Sequence, residues 1–228
     1  MTAAMTQARA DGADTVICAS TGNTAASAAA YAARAGMRCL VIIPEGKIAL
    51  GKLAGAIAYG AEVVSIQGSF DDGMRMVTEA SQRAPIVLVN SLNPARLEGQ
   101  KTAAWEVVQA LGKSPDWLAL PIGNGGNTTA YWMGFIEAQG WMTDTKPRLL
   151  SGQAEGSAPF VLGHPVTHPE TRATAIRIGN PARWNEARQA LADSNGLVLA
   201  VSDDEIFENY HVVAEYEGVF CEPSSATS

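Results

Sequence analysis

The sequence predicts an α/β protein built as two open three-layer α/β domains, each with a parallel-type sheet covered by helices. Three observations predict it. Short, continuously apolar runs begin at residues 15, 38, 62 and 86, and a strand every 23 or 24 residues with helix-forming sequence between is the rhythm of βαβ units. The stretches between them are Ala-rich, and two of them stop at a glycine, the usual helix terminator. Hydrophobic residues make up 47% of the 228 and charged residues 17%, a composition that fills a core and excludes wholesale disorder.

Taken in order, residues 1–10 read as a helix already under way, with neither a cap nor a preceding strand. Strand 15–19 (TVICA) leads through Ser20–Thr24 into a helix over 24–35, closed by Gly36. Strand 38–43 (RCLVII) is followed by a helix over 48–59, closed by Gly60. Strand 62–66 (EVVSI) is followed by a helix over 70–83, for which Ser69 is a candidate cap. Strand 86–89 (IVLV) precedes a long helix over 97–111 and a strand over 117–121. A Gly/Asn loop then opens a helix over 128–139, and a strand at 148–153 follows. The segment 156–180 contains Pro159, Pro165 and Pro169 and is expected to be a partly irregular excursion. A helix over 182–192, a strand over 197–201 and a helix from Asp203 complete the series, and Glu222–Ser228 reads as the start of another helix. The expected domains are 1–92, small, and 93–228, large and incomplete, in a chain cut at both ends.

Composition narrows the function. Sixteen Lys and Arg against 23 Asp and Glu give a formal charge of −7, which disfavours nucleic acid and anionic membrane surfaces as partners. No apolar run approaches the roughly 18 residues of a membrane helix, and Met1–Gly12 lacks a signal-peptide core. Cys18, Cys39 and Cys221 form no CxxC pair and read as reduced thiols of a cytoplasmic protein.

Two loops carry candidate chemistry. Ser20-Thr21-Gly22-Asn23-Thr24 joins a strand to a helix; it is either a plain cap or a seat for an anion at a helix N-terminus, and both readings stand. Gly123-Asn124-Gly125-Gly126-Asn127 occupies the same kind of junction, with Thr128 and Thr129 directly after it. Three glycines in five residues allow positive φ and close approach of backbone donors, so phosphate cradling is favoured over a flexible turn. The dinucleotide fingerprint fails, because Thr128 stands where its third Gly belongs. A Walker-like stretch from Gly46 to Lys52 has Leu53 in place of the Mg²⁺-binding hydroxyl. His164 and His168 are separated by Pro165, which argues against a metal pair on one helical face, and no metal is expected. His211 stands alone, and Asp71/Asp72 and Asp203/Asp204 sit at helix starts where carboxylates are favourable anyway.

STGNT at 20–24, NSLNPARLEGQKT at 90–102, GNGGN at 123–127 and EPSSA at 222–226 together resemble the threonine synthase family, pyridoxal-phosphate enzymes of fold type II in the tryptophan synthase β group. The resemblance runs over essentially the whole chain. It implies pyridoxal 5′-phosphate as cofactor in a cleft between two domains, with Asn23 on its 3′-oxygen and Gly123, Asn124, Gly125, Gly126 and Asn127 around its phosphate. It implies that Ser20 and Thr21, with the loop to Asn23, receive the substrate carboxylate. Thr24, Asn90, Ser91 and Arg96, with Lys52 and Asn124, would bind the phosphate of O-phosphohomoserine, a dianion suited to the planar Arg fork. The reaction implied is loss of phosphate from the γ carbon and addition of water at the β carbon, giving threonine. Thr24 stands where serine and threonine dehydratases of this fold commonly have His.

One departure bears on catalysis. The family's Schiff-base lysine would lie before Met1, and Lys47, Lys52, Lys101, Lys113 and Lys146 all occupy other positions. The Thr or Ser facing the pyridine nitrogen would lie after Ser228. No catalytic residue is therefore expected within the chain, and homodimerisation is expected of the longer protein. The rival readings are a threonine or serine dehydratase of the same fold, a non-catalytic remnant that binds a phosphorylated ligand, and a nucleotide-binding protein.

Overall fold

The computed structural model describes residues 1–45 and 50–228, without the side chains of residues 50–52 and 71. Backbone contacts divide the chain into two compact units, Met1–Gly99 and Gln100–Ser228. The break lies seven residues beyond the expected one, because the segment after residue 93 is tied to the first unit. Arg96 reaches the Val89 carbonyl, and Gly99 lies against the Ala3 methyl.

The first unit carries α1 (Thr2–Ala10), β1 (Thr15–Ala19), α2 (Asn23–Ala35), β2 (Arg38–Pro44), α3 (Leu50–Ala58), β3 (Glu62–Ile66), α4 (Phe70–Arg83), β4 (Ile86–Leu88) and α5 (Pro94–Gln100). All strand pairs are parallel, in the order β3-β2-β1-β4. The chain therefore lays down β1, β2 and β3 to one side, then crosses to place β4 on the other side of β1. Both faces of the sheet are covered. One buries Val16, Cys18, Cys39 and Val41 against α1, α2 and α3; the other buries Ile17, Ala19 and Ile42 against Val77 of α4. The Ala-rich sequence of α2 supplies a stripe of small buried residues (Ala25, Ala28, Ala29, Ala32), which lets the helix lie close to the sheet. Ser69 and Asp72 form the reciprocal cap expected at the start of α4.

The second unit carries α6 (Thr102–Leu111), β5 (Trp117–Pro121), α7 (Gly126–Ala138), β6 (Arg148–Ala154), α8 (Pro159–Leu162), α9 (Trp184–Asp193), β7 (Leu197–Val201) and α10 (Asp203–Glu217), with a closing 3-10 turn at Pro223–Thr227. Its sheet is parallel, in the order β5-β6-β7. The expected single helix over 97–111 is two, α5 and α6, with Lys101 between them. Gly134 of α7 explains the close packing of α6 and α7. A Cβ there would stand 2.1 Å from the Lys101 carbonyl oxygen.

The excursion after β6 is stitched down rather than loose. Glu170 N–H donates to the Gly156 carbonyl and Val166 N–H to the Gly179 carbonyl, each at 2.9 Å. The buried Gln153 amide oxygen accepts from Phe160 N–H at 2.9 Å, and Phe160 stacks on Trp184 with centroids 4.9 Å apart. The start expected for helix 48–59 falls partly outside the described residues, as does the Walker-like stretch.

Candidate functional site

In an open parallel sheet, ligands bind beyond the carboxyl ends of the strands where the strand order reverses. In the first unit that point lies between β1 and β4, and the loops following these two strands are Ser20–Gly22 and Val89–Asn93. Ser20, Thr21, Asn90 and Ser91 thus lie in loops at one end of one strand pair. The loop after β1 turns on Ser20, whose hydroxyl accepts from Gly22 N–H at 3.2 Å. α2 then begins with no side-chain cap and no acidic residue in its first turn, so the positive end of its dipole is left uncompensated. Thr21 and Thr24 are half-buried there, and Asn23 is exposed.

Asn90 fastens the two loops together. Its buried side chain accepts from Ala19 N–H and donates to the Ala19 carbonyl, both at 2.9 Å. Expected among the phosphate donors, it has one N–H and one oxygen lone pair left for a ligand after this double bond. Asn93, which sequence reasoning did not single out, ties Leu88 O to Ala95 N–H and so sets the start of α5. Ser91 is half-buried in the same turn.

That start aims Arg96 back along β4. Its Nη1 donates to the Val89 carbonyl at 3.3 Å, while Nε is buried with no hydrogen-bond partner among the described residues. Nor does Arg96 have an ion pair among the described residues. Burial draws its pKa below the ordinary value, with the neighbouring Cys18 thiol opposing weakly. The Met1 ammonium is lowered as well, by burial first and by the Arg96 charge second. A half-buried guanidinium with an orphaned donor and no counter-ion among the described residues has room for one anion. The Lys52 side chain lies outside the described residues.

In the second unit, each glycine of the 123–127 turn has its own reason. A Cβ at Gly123 would press on Ile178 and Ile176 at 3.3 and 3.4 Å. Gly125 is left-handed (φ 79°), and a Cβ there would meet the Ala187 methyl at 2.8 Å and the Arg183 carbonyl oxygen at 2.9 Å. Gly126 differs: nothing lies within 4 Å of where its Cβ would be. Gly126 is the first residue of α7, which has no side-chain cap and no acid in its first turn. By helix geometry the leading N–H groups have no carbonyl behind them.

In that same turn the Thr128 hydroxyl is fully buried and without a partner among the described residues. Thr129, by contrast, returns its hydroxyl to the Gly125 carbonyl at 2.8 Å. Uncapped helical N–H groups, open space before Gly126 and an orphaned buried hydroxyl fit a phosphate dianion. The sequence expectation did not include Thr128, although its place in the first turn was visible. The support from Ile176, Ile178, Arg183 and Ala187 had no local signal, because those residues lie about 50 to 60 positions away.

The remaining motif, EPSSA, forms the closing 3-10 turn. Ser224 and Thr227 are buried there, and Thr227 packs so closely on β6 that a Cβ at Gly152 would stand 2.3 Å from its carbonyl oxygen.

Glycine-rich strand-to-helix junctions of parallel sheets recur in cofactor enzymes, and the sequence places this chain in one such family. Residues 1–228 match the family described as pyridoxal-phosphate dependent enzyme, and the chain belongs to that family. Among known proteins it is 58% identical over 229 residues to the threonine synthase of Synechocystis sp., covering 100% of this chain and 60% of that protein. It is 47% identical over 238 residues to the threonine synthase of Methanocaldococcus jannaschii, covering 100% and 59%. The chain thus spans about three fifths of the length of these relatives. Among solved structures, maize serine racemase superposes with a TM-score of 0.83 at 21% identity, over 99% of this chain and 69% of that one. Cysteine synthase of Entamoeba histolytica gives 0.81 at 17% identity, over 99% and 65%. These two likenesses establish the fold.

Proposed function

We propose that this chain provides the cofactor-phosphate cradle and the substrate-anion groups of a threonine synthase, which converts O-phosphohomoserine and water to threonine and phosphate. The observation that carries the reading is Arg96, held by α5 with an orphaned buried Nε and no counter-ion among the described residues. A dehydratase acting on threonine or serine has no second anion to offer it, whereas a phosphorylated substrate supplies one. The names of the relatives at 47 to 58% identity support the same choice.

In this reading the N–H groups of Gly126, Asn127 and Thr128, with the Thr128 hydroxyl, hold the phosphate of pyridoxal 5′-phosphate. Gly123, Asn124 and Gly125 give the loop its shape. When bound, pyridoxal phosphate supplies an electron sink at the substrate's α carbon. Asn23 orients the cofactor ring through its 3′-oxygen, and Ser20 and Thr21 receive the substrate carboxylate at the N-terminus of α2. Arg96 binds the substrate phosphate with Thr24, Ser91 and Lys52. Asn90 holds β1 and β4 in the register that brings these groups together.

The test is product analysis of the longer, cofactor-loaded protein in which the expected Schiff-base lysine is present. Threonine and inorganic phosphate formed together from O-phosphohomoserine support the reading. Formation of a 2-oxo acid and ammonia from threonine, with no phosphate release from phosphohomoserine, would replace it with the dehydratase.

A further inference from the structure

Arg96 meets an anion in a fixed place only if α5 starts at one point and runs in one direction. The sheet does little to fix that start, because β4 is a three-residue edge strand, paired on one side only. Asn93, between strand and helix, makes four main-chain bonds. Its N–H donates to the Asn90 carbonyl at 3.0 Å and closes the turn that carries Ser91, and its carbonyl accepts from Arg96 N–H at 3.1 Å. Its side chain spans the junction. Nδ2 donates to the Leu88 carbonyl at 2.7 Å, and Oδ1 accepts from Ala95 N–H at 2.9 Å. Pro94 follows as the first helical residue, where its fixed φ suits a helix start and no N–H is needed. The carbonyl next after Leu88, that of Val89, takes Arg96 Nη1 at 3.3 Å. Two successive carbonyls thus hold the cap of α5 and the guanidinium that α5 carries.

We propose that Asn93 is a positioning residue for substrate binding: its Nδ2 tie to Leu88 fixes the direction of α5 and so holds the Arg96 guanidinium where the substrate anion arrives. The inference rests on the reading of Arg96 as a substrate-phosphate group. The two ends of the Asn93 amide have separable tasks. The oxygen caps the helix, which a Ser hydroxyl also does. The nitrogen sets the aim of Arg96, and the shorter Ser side chain has no group that replaces it. Losing one neutral hydrogen bond of this kind lowers the population of the aimed arrangement by roughly 2- to 10-fold, and affinity for a phosphorylated ligand falls in proportion.

The test uses the longer, cofactor-loaded protein that carries the expected Schiff-base lysine, in which the cofactor occupies its own phosphate seat. Asn93→Ala, Asn93→Ser, Arg96→Met and the pair Asn93→Ser with Arg96→Met are compared with the unmodified protein. The readouts are affinity for inorganic phosphate by calorimetry, KM for O-phosphohomoserine, affinity for pyridoxal phosphate, and hydrogen exchange of the Ala95 amide. For Asn93→Ser the expectation is about 2- to 10-fold weaker phosphate binding and a KM raised by the same factor, with cofactor affinity and Ala95 protection unchanged. Asn93→Ala loses cap and tie together, so Ala95 exchange quickens as well; the Ser variant decides the matter even if the Ala variant does not fold. On the Arg96→Met background the Ser substitution is expected to change neither phosphate affinity nor KM, because it acts through the guanidinium. Phosphate affinity and KM unchanged in Asn93→Ser, or lost by the same factor with and without Arg96, would overturn the proposal. If Arg96→Met alone binds phosphate and substrate as tightly as the unmodified protein, the reading of Arg96 fails, and this proposal with it.

Discussion

Gly126→Ala separates the stability of the loop from its function. Gly126 is the first residue of α7, its φ lies outside the positive region, and nothing lies within 4 Å of the position a Cβ would take. In the ligand-free protein the substitution removes backbone freedom from the unfolded chain without a clash, and is worth up to about 0.5–1 kcal/mol in favour of the fold. For a unit of this size that raises Tm by about 2–3 °C. The methyl group, however, enters the space before the helical N–H groups. A phosphate seated there is displaced, and cofactor affinity falls by roughly tenfold or more, about 1.4 kcal/mol per decade. Thermal unfolding without ligand and titration with pyridoxal phosphate read the two effects separately. A variant that is stabilised and binds the cofactor as tightly as before would refute the reasoning, because the open space would then not be the phosphate seat.

Arg96→Met removes a half-buried charge that has no counter-ion among the described residues, so urea unfolding is expected to show stability unchanged or raised by about 1–2 kcal/mol. In the longer protein that carries the expected Schiff-base lysine, the same variant loses roughly 30-fold or more in kcat/KM for the phosphorylated substrate. Gly152→Ala drives a Cβ to 2.3 Å from the Thr227 carbonyl, a backbone atom, and is expected to destabilise by about 3 kcal/mol or more in the same assay. The buried Cys18 thiol is pushed up to about 12, by burial first and Cys39 second, and Cys39 to about 11 by burial. The unfolded chain gives up these protons near 9 while the fold keeps them, so the thiols' contribution to stability is constant below pH 9 and falls as pH rises from 9 towards 12. At pH 8 a thiol reagent is expected to label the half-buried Cys221 well before the two buried thiols, and equal rates at all three would contradict their burial.

Most of the fold was legible because its signals are local. Apolar runs at 15, 62, 117 and 197 end where the strands end, and Ser69 before Phe70 caps as its chemistry requires. The break between α5 and α6 was not legible, since Leu97–Leu111 has no Gly or Pro beyond Gly99 to interrupt a helical pattern. What divides it is tertiary: Arg96 is drawn to β4, and α6 packs on Gly134. The candidate site was legible as motifs but not as roles. Asn90 and Asn124 read as ligand donors in the sequence, and the main-chain bonds each also makes, to Ala19 and from Ala182, had no local signal. That Arg96 has no counter-ion among the described residues is likewise a property of space, invisible in the string NPARLEG.

A crystal structure of the protein grown with pyridoxal phosphate tests the central claim most directly. The account predicts the phosphate group within about 3.2 Å of the N–H groups of Gly126, Asn127 and Thr128 and of the Thr128 hydroxyl. A cofactor phosphate bound elsewhere, with the three N–H groups open to solvent and the Thr128 hydroxyl still without a partner, would contradict it.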